Sequence, residues 1–81
     1  MAQRTRYRPL VALKAFRERH NPPLSQSDLA DKFGVSRVTV TRWESGSRQP
    51  NRDVLPTVLR ITGLPLSEIR PDLAKLIAYA A

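Results

Sequence analysis

Apolar side chains recur along this chain at helical intervals. Leu10, Leu13 and Phe16, with Val11 and Ala12 alongside, predict a helix over about residues 9–20; Pro9 suits its first position, and Asn21-Pro22-Pro23 ends it. A second helix, over 26–33, carries Leu29, Ala30 and Phe33 on one face. Ser25 caps its start, with Asp28 three residues on as a weaker box partner than Glu. Gly34 follows at once, where a helix commonly ends in the left-handed conformation, and Ser36 is a second N-cap two residues later. A third helix must therefore begin after a very short turn. Val40 and Trp43 lie on its buried face and Ser45-Gly46-Ser47 closes it, which gives about 37–44. From Asn51 onward two or three short helices are expected. Pro56 belongs in the first turn of one that ends near Thr62-Gly63, and Ser67 with Glu68 opens another. Pro71 cuts that one short or restarts it ahead of the stripe Leu73, Leu76, Ile77, Ala80. No stretch alternates apolar and polar residues in the sustained way of a strand, so the fold class is all-α, with no internal repeat, phosphate loop or heptad array.

From eighty-one residues, 41% hydrophobic and 26% charged, one small folded domain is expected and a multi-domain enzyme is not. The expected division is a basic flexible arm over 1–8 and a single domain over 9–81, with no room for a separate effector module. Without cysteine there is no disulfide framework or thiol nucleophile, and His20 alone cannot build a metal cluster, so no metal and no cofactor are expected. Asp28, Asp31, Glu44, Asp53, Glu68 and Asp72 are scattered over helix starts and surfaces, where caps and dipoles account for them. They form no acid and base pair, and no nucleophile has a base beside it. Neither enzyme activity nor a small-molecule substrate is expected. The longest apolar run is a handful of residues and MAQRTRYRPL has no signal-peptide core, so the expected location is cytoplasmic, with no membrane partner.

Charge changes the picture most. Fourteen Lys and Arg face seven Asp and Glu for a net +7, and eleven of the fourteen are arginine, whose planar fork suits phosphates and base edges. Residues 1–52 hold eleven basic and four acidic side chains, whereas 53–81 hold three of each. A polyanionic partner is expected for the first two-thirds, the alternative being charge that only keeps a small protein soluble. The neutral, apolar helices of 53–81 are the candidate dimer interface.

Two short helices joined by a glycine-containing turn, over about 26–44, form a helix-turn-helix, a unit that sets its second helix in the DNA major groove. Ala30 is small enough to let the third helix pass close against the second. At ~100° per residue, the face opposite Val40 and Trp43 consists of Arg37, Val38, Thr41 and Arg42, the candidate base-reading set. Arginine pairs bidentately with guanine, threonine bonds a base edge or a phosphate, and an exposed valine meets a thymine methyl. Thr39 falls to one side, for a phosphate or partial packing, and Gln26 suits a phosphate or the bracing of a reading side chain. Trp43 reads as core rather than as a stacking platform. Arg17 and Arg19, next to Glu18, read as a solvated helix face, and His20 as a surface residue near a helix end. Arg4, Arg6 and Arg8 are either a solubilising tail or an arm that tracks phosphates or enters a minor groove.

The segment LSQSDLADKFGVSRVTVTRWESGSRQP, residues 24–50, resembles the helix-turn-helix of the Cro/CI-type, or XRE, family of phage and bacterial regulators. The resemblance implies a compact four- to six-helix, lambda-repressor-like domain. It also implies DNA contact by Gln26, Arg37, Val38, Thr41 and Arg42, with Arg48 of the W-E-x-G-x-R-x-P segment by the backbone. Arg48 and Arg52 are candidate phosphate contacts. VLPTVLRITGLPLSEIRPDLA is similar to short Cro-like and YdaS-like prophage proteins, while the basic arm is longer than in many relatives. The functional expectation is a repressor that binds a pseudo-palindromic double-stranded operator as a homodimer and acts by occupancy. Two alternatives stand beside it: an antitoxin that neutralises a toxin through its C-terminal helices and autoregulates its operon, and a non-specific nucleic-acid binder.

Overall fold

A computed structural model describes residues 6–80, and among them the chain forms six helices and no strand, as the all-α expectation requires. The helices are α1 (Val11–Arg19), α2 (Gln26–Phe33), α3 (Arg37–Ser45), α4 (Leu55–Thr62), α5 (Leu66–Ile69) and α6 (Pro71–Ala80). Local chemistry sets the ends of α2 and α3. The Asp28 amide donates to Ser25 Oγ and the Ser25 amide to Asp28 Oδ2, each at 3.0 Å, so the capping box is complete despite its short carboxylate. Gly34 then takes φ 74°, the left-handed conformation, and Ser36 Oγ accepts from the Thr39 amide at 3.2 Å to open α3. Three residues thus separate the two helices.

The first helix begins two residues later than the pattern predicts, and the cause is non-local. Residues 7–10 run as a strap across the end of α3: the Tyr7 amide donates to Gly46 O at 2.9 Å and the Leu10 amide to Trp43 O at 3.2 Å. These bonds fix the chain before it turns, so Leu10 rather than a residue ahead of Pro9 stands as the N-cap, and its side chain is buried.

The core joins Leu10 and Leu13 of the strap and α1, Leu29, Ala30 and Phe33 of α2, and Val40 and Trp43 of α3, with Leu55, Val58 and Ile69 behind them. Buried Ala30 leaves room for α3 against α2, and the Trp43 ring leans on Phe33 with centroids 6.1 Å apart. Toward the C-terminal end, Asn51 Oδ1 accepts from the Asp53 and Val54 amides at 3.0 and 3.1 Å, and Pro56 sits in the first turn of α4 as expected. Pro71 starts α6 directly after Arg70, a buried side chain that donates to Pro50 O at 2.6 Å and grips Asp72 with two bonds of 3.0 and 2.8 Å. Of the stripe predicted on α6, Leu73 packs half-buried against the core, while Leu76 and Ile77 are each 60% exposed; the side chain of Ala80 lies outside those described. Among the described residues no helix is long and apolar enough to cross a membrane.

Candidate nucleic-acid interface

Burial of Val40 and Trp43 fixes the rotation of α3 about its axis, and therefore which side chains it turns outward. Arg37, Val38, Thr41 and Arg42 are all exposed on that outer face, Val38 to 49%, a large exposure for an aliphatic side chain beside a packed helix. Thr39 lies at the edge of the face, half-buried, with its hydroxyl 2.9 Å from that of Ser36. It borders a cleft formed by Val35, Arg42, Trp43, Arg48, Gln49 and Val54. The Arg48 amide donates to Arg42 O at 3.2 Å, which seats the two arginines on the same cleft. Arg52 stands elsewhere, at the border of an apolar groove built from Leu55, Pro56, Leu59, Leu66, Leu73, Leu76 and Ile77. In the expected arm, Arg6 and Arg8 are exposed on either side of the pinned Tyr7, and Arg4 lies outside the described residues.

A chain of polar side chains ties this face to the rest of the molecule. Arg17 Nε and Nη2 donate to the two oxygens of Glu44 at 3.0 and 2.9 Å, and Arg17 Nη1 donates to Leu24 O at 3.2 Å. Gln26 Nε2 also donates to Glu44 Oε1, at 3.1 Å, and Gln26 Oε1 accepts from the Thr41 hydroxyl at 2.8 Å. The side chains of Arg17 and Glu44 are only 15% and 7% exposed, so neither is the solvated surface charge that the sequence suggested. The fork-on-carboxylate geometry holds the Arg17 guanidinium protonated even more firmly than usual, the Glu44 bonds outweighing the effect of burial. A signal was present: Arg17 follows buried Leu13 by four residues and Glu44 follows buried Val40 by four, which puts both on inward faces. Arg19 does remain on an exposed face, where its Nε donates to Ala15 O at 3.3 Å, and His20 is exposed at the helix end.

The Gln26 amide spans α2 and α3, bonded to Glu44 at one end and to Thr41 at the other, and so braces the outer face of α3. The face it braces is arginine-rich and free of acidic side chains from Arg37 to Trp43. Such an arrangement offers forks and a methyl-sized apolar contact to a groove, with positive charge on its flank for phosphates.

Among protein families, the one described as Helix-turn-helix matches residues 13–69. An uncharacterised HTH-type transcriptional regulator of Methanocaldococcus jannaschii is 37% identical over 57 residues, which are 70% of this chain and 83% of that protein. No solved structure matches the chain significantly.

Proposed function

Because the chain belongs to the helix-turn-helix family, we propose that it is a sequence-specific double-stranded-DNA-binding transcriptional regulator, a Cro-like repressor that acts by occupying its operator. The observation that carries this reading is the outer face of α3, where Arg37, Val38, Thr41 and Arg42 stand exposed on a helix whose opposite face is locked by Val40 and Trp43. Arg37 and Arg42 take guanine edges, Val38 a thymine methyl and Thr41 a further base edge. Gln26, Thr39, Arg48, Arg52 and the arginines of the arm, Arg4, Arg6 and Arg8, set the register on the phosphates. One such helix reads only a few base pairs, so a homodimer on a pseudo-palindrome, with recognition helices ~34 Å apart, is the form in which the protein gains enough discrimination.

Selection of bound duplexes from a random library tests it. The expected result is a pseudo-palindrome with half-sites about one helical turn apart, bound roughly 1000-fold tighter than scrambled DNA. Equal, salt-steep binding to every duplex with no enriched motif would overturn the proposal. A second reading, an antitoxin, is favoured by the exposure of Leu76 and Ile77, which leaves an apolar face open to a toxin. In that case toxin binding survives replacement of Arg37 and Arg42, whereas choice among DNA sequences does not.

A further inference from the structure

Thr41 has one hydroxyl proton and two acceptors of the same chain already facing it. Gln26 Oε1 lies 2.8 Å from Thr41 Oγ1, and the Arg37 carbonyl lies 3.0 Å from it. Whichever of them takes the proton, it is engaged within the chain. The direction of the Gln26 amide is set in turn by Glu44, because a carboxylate only accepts, so the NH2 end must face Glu44 and the carbonyl end must face Thr41. Glu44 is itself held by the Arg17 fork, a permanent donor. The polarity of the whole chain is therefore anchored in a fixed positive charge, and what reaches the surface at Thr41 is an oxygen with lone pairs and no free proton.

We infer that Thr41 reads DNA as a hydrogen-bond acceptor only, selecting a base that presents an exocyclic amino group in the major groove, adenine N6 or cytosine N4. The inference rests on the proposed DNA reading by the outer face of α3 and specifies one contact within it. Guanine N7 and O6 and thymine O4 are acceptors, so none of them finds a proton on Thr41. Phosphate oxygens are acceptors as well, which removes Thr41 from the backbone contacts and leaves it to the bases. The second amide hydrogen of Gln26 is not used in these bonds, so a phosphate is available to Gln26 in a way that it is not to Thr41.

The test combines duplex selection with single-group deletion in the DNA, using the full chain and the variants Thr41→Val and Thr41→Ser. Position 41 is exposed, and melting curves check that both variants fold. Thr41→Val is expected to lose base preference at one position of each half-site, and Thr41→Ser to keep it. At that position, purine replacing adenine, or 2-pyrimidinone replacing cytosine, deletes only the amino group. This should weaken wild-type binding about three- to ten-fold, the share of one hydrogen bond, and leave Thr41→Val unaffected. A 7-deazapurine, which deletes an acceptor, should cost both proteins the same. A Thr41→Val motif identical to wild type at every position overturns the inference, as does coupling of Thr41 to the 7-deaza or keto group. Both of these results leave the proposed function standing. Absence of any wild-type motif removes the function and this inference with it.

Discussion

Gly46 meets two demands at once. Its φ of 87° is left-handed, and a Cβ added there would lie 2.5 Å from Tyr7 O and 3.1 Å from the Pro9 nitrogen, both backbone atoms of the strap. Gly34 shares the left-handed φ, at 74°, but has open space around it. Gly34→Ala is therefore expected to cost about 1–2 kcal/mol from backbone conformation alone. Gly46→Ala should cost at least ~1 kcal/mol more, since the strap must also move. Urea unfolding of the two variants measures the difference, and equal losses would show that the strap yields freely. Acid behaviour is likewise decided by single residues. The Ser25 amide and hydroxyl contacts hold the Asp28 carboxyl below its ordinary range, and the Arg70 fork does the same for Asp72. A carboxyl depressed in the folded state contributes stability above its unfolded pKa of about 3.9, and loses it as pH falls through the lower folded value. Melting temperature should thus drop below roughly pH 4, and the drop should be shallower when Asp28 and Asp72 are both replaced by Asn. An unchanged acid slope in that double variant would assign acid sensitivity to other carboxyls.

The pair α2 and α3 is held together by two different means, an apolar contact through Ala30, Phe33, Val40 and Trp43 and a polar chain from Arg17 through Glu44 and Gln26 to Thr41. Removing one partner of the largely buried ion pair leaves the other with its charge uncompensated. Arg17→Met and Glu44→Met are each expected to cost about 3 kcal/mol, and the double substitution less than the sum of the two. Denaturation of the three variants gives the coupling directly; strict additivity would mean that the pair contributes packing alone. What the sequence revealed follows the range of the interactions. Caps such as Ser25, Gly34 and Ser36 act within a few residues, so the bounds of α2, and those of α3 to within one residue, were legible from the pattern. The exposed set Arg37, Val38, Thr41 and Arg42 followed from Val40 and Trp43 by periodicity alone, although periodicity says nothing of what that face touches. The start of α1 was not legible, because it depends on carbonyls of Trp43 and Gly46 more than thirty residues away in the chain. Arg17 was misassigned because its neighbour Glu18 offered a local partner, and the inward register shared with Leu13 was the better guide. Arg70 carried no signal at all. Its partner Pro50 O lies twenty positions back, and only the packed fold brings the two together.

Across the whole molecule, charge and apolar exposure are segregated. The net positive charge lies in residues 1–52, with the outer face of α3 among them, while residues 53–81 are neutral and expose Leu76 and Ile77 beside the groove of Leu55, Pro56, Leu59, Leu66 and Leu73. Two copies meeting through their basic parts would repel each other, whereas the neutral part offers apolar surface, bordered by Arg52, with much less of that repulsion, which makes α6 the face to which the proposed homodimer is assigned. The assignment has a definite consequence for DNA. Replacing Leu76 and Ile77 together by Asp puts charge on a surface that each is already exposed upon, so the helical content of the single chain should not change. Sedimentation equilibrium is then expected to show monomers for this variant and dimers for the wild type. Affinity for a complete pseudo-palindrome should fall about 100-fold or more through loss of the linked second half-site, while affinity for an isolated half-site stays the same. The two measurements must move together if dimerisation through α6 is what joins the half-sites. A wild type that is monomeric in solution and on DNA, with duplex affinity indifferent to the Leu76 and Ile77 change, would release this face from dimerisation and leave it to a different protein, as the antitoxin reading requires.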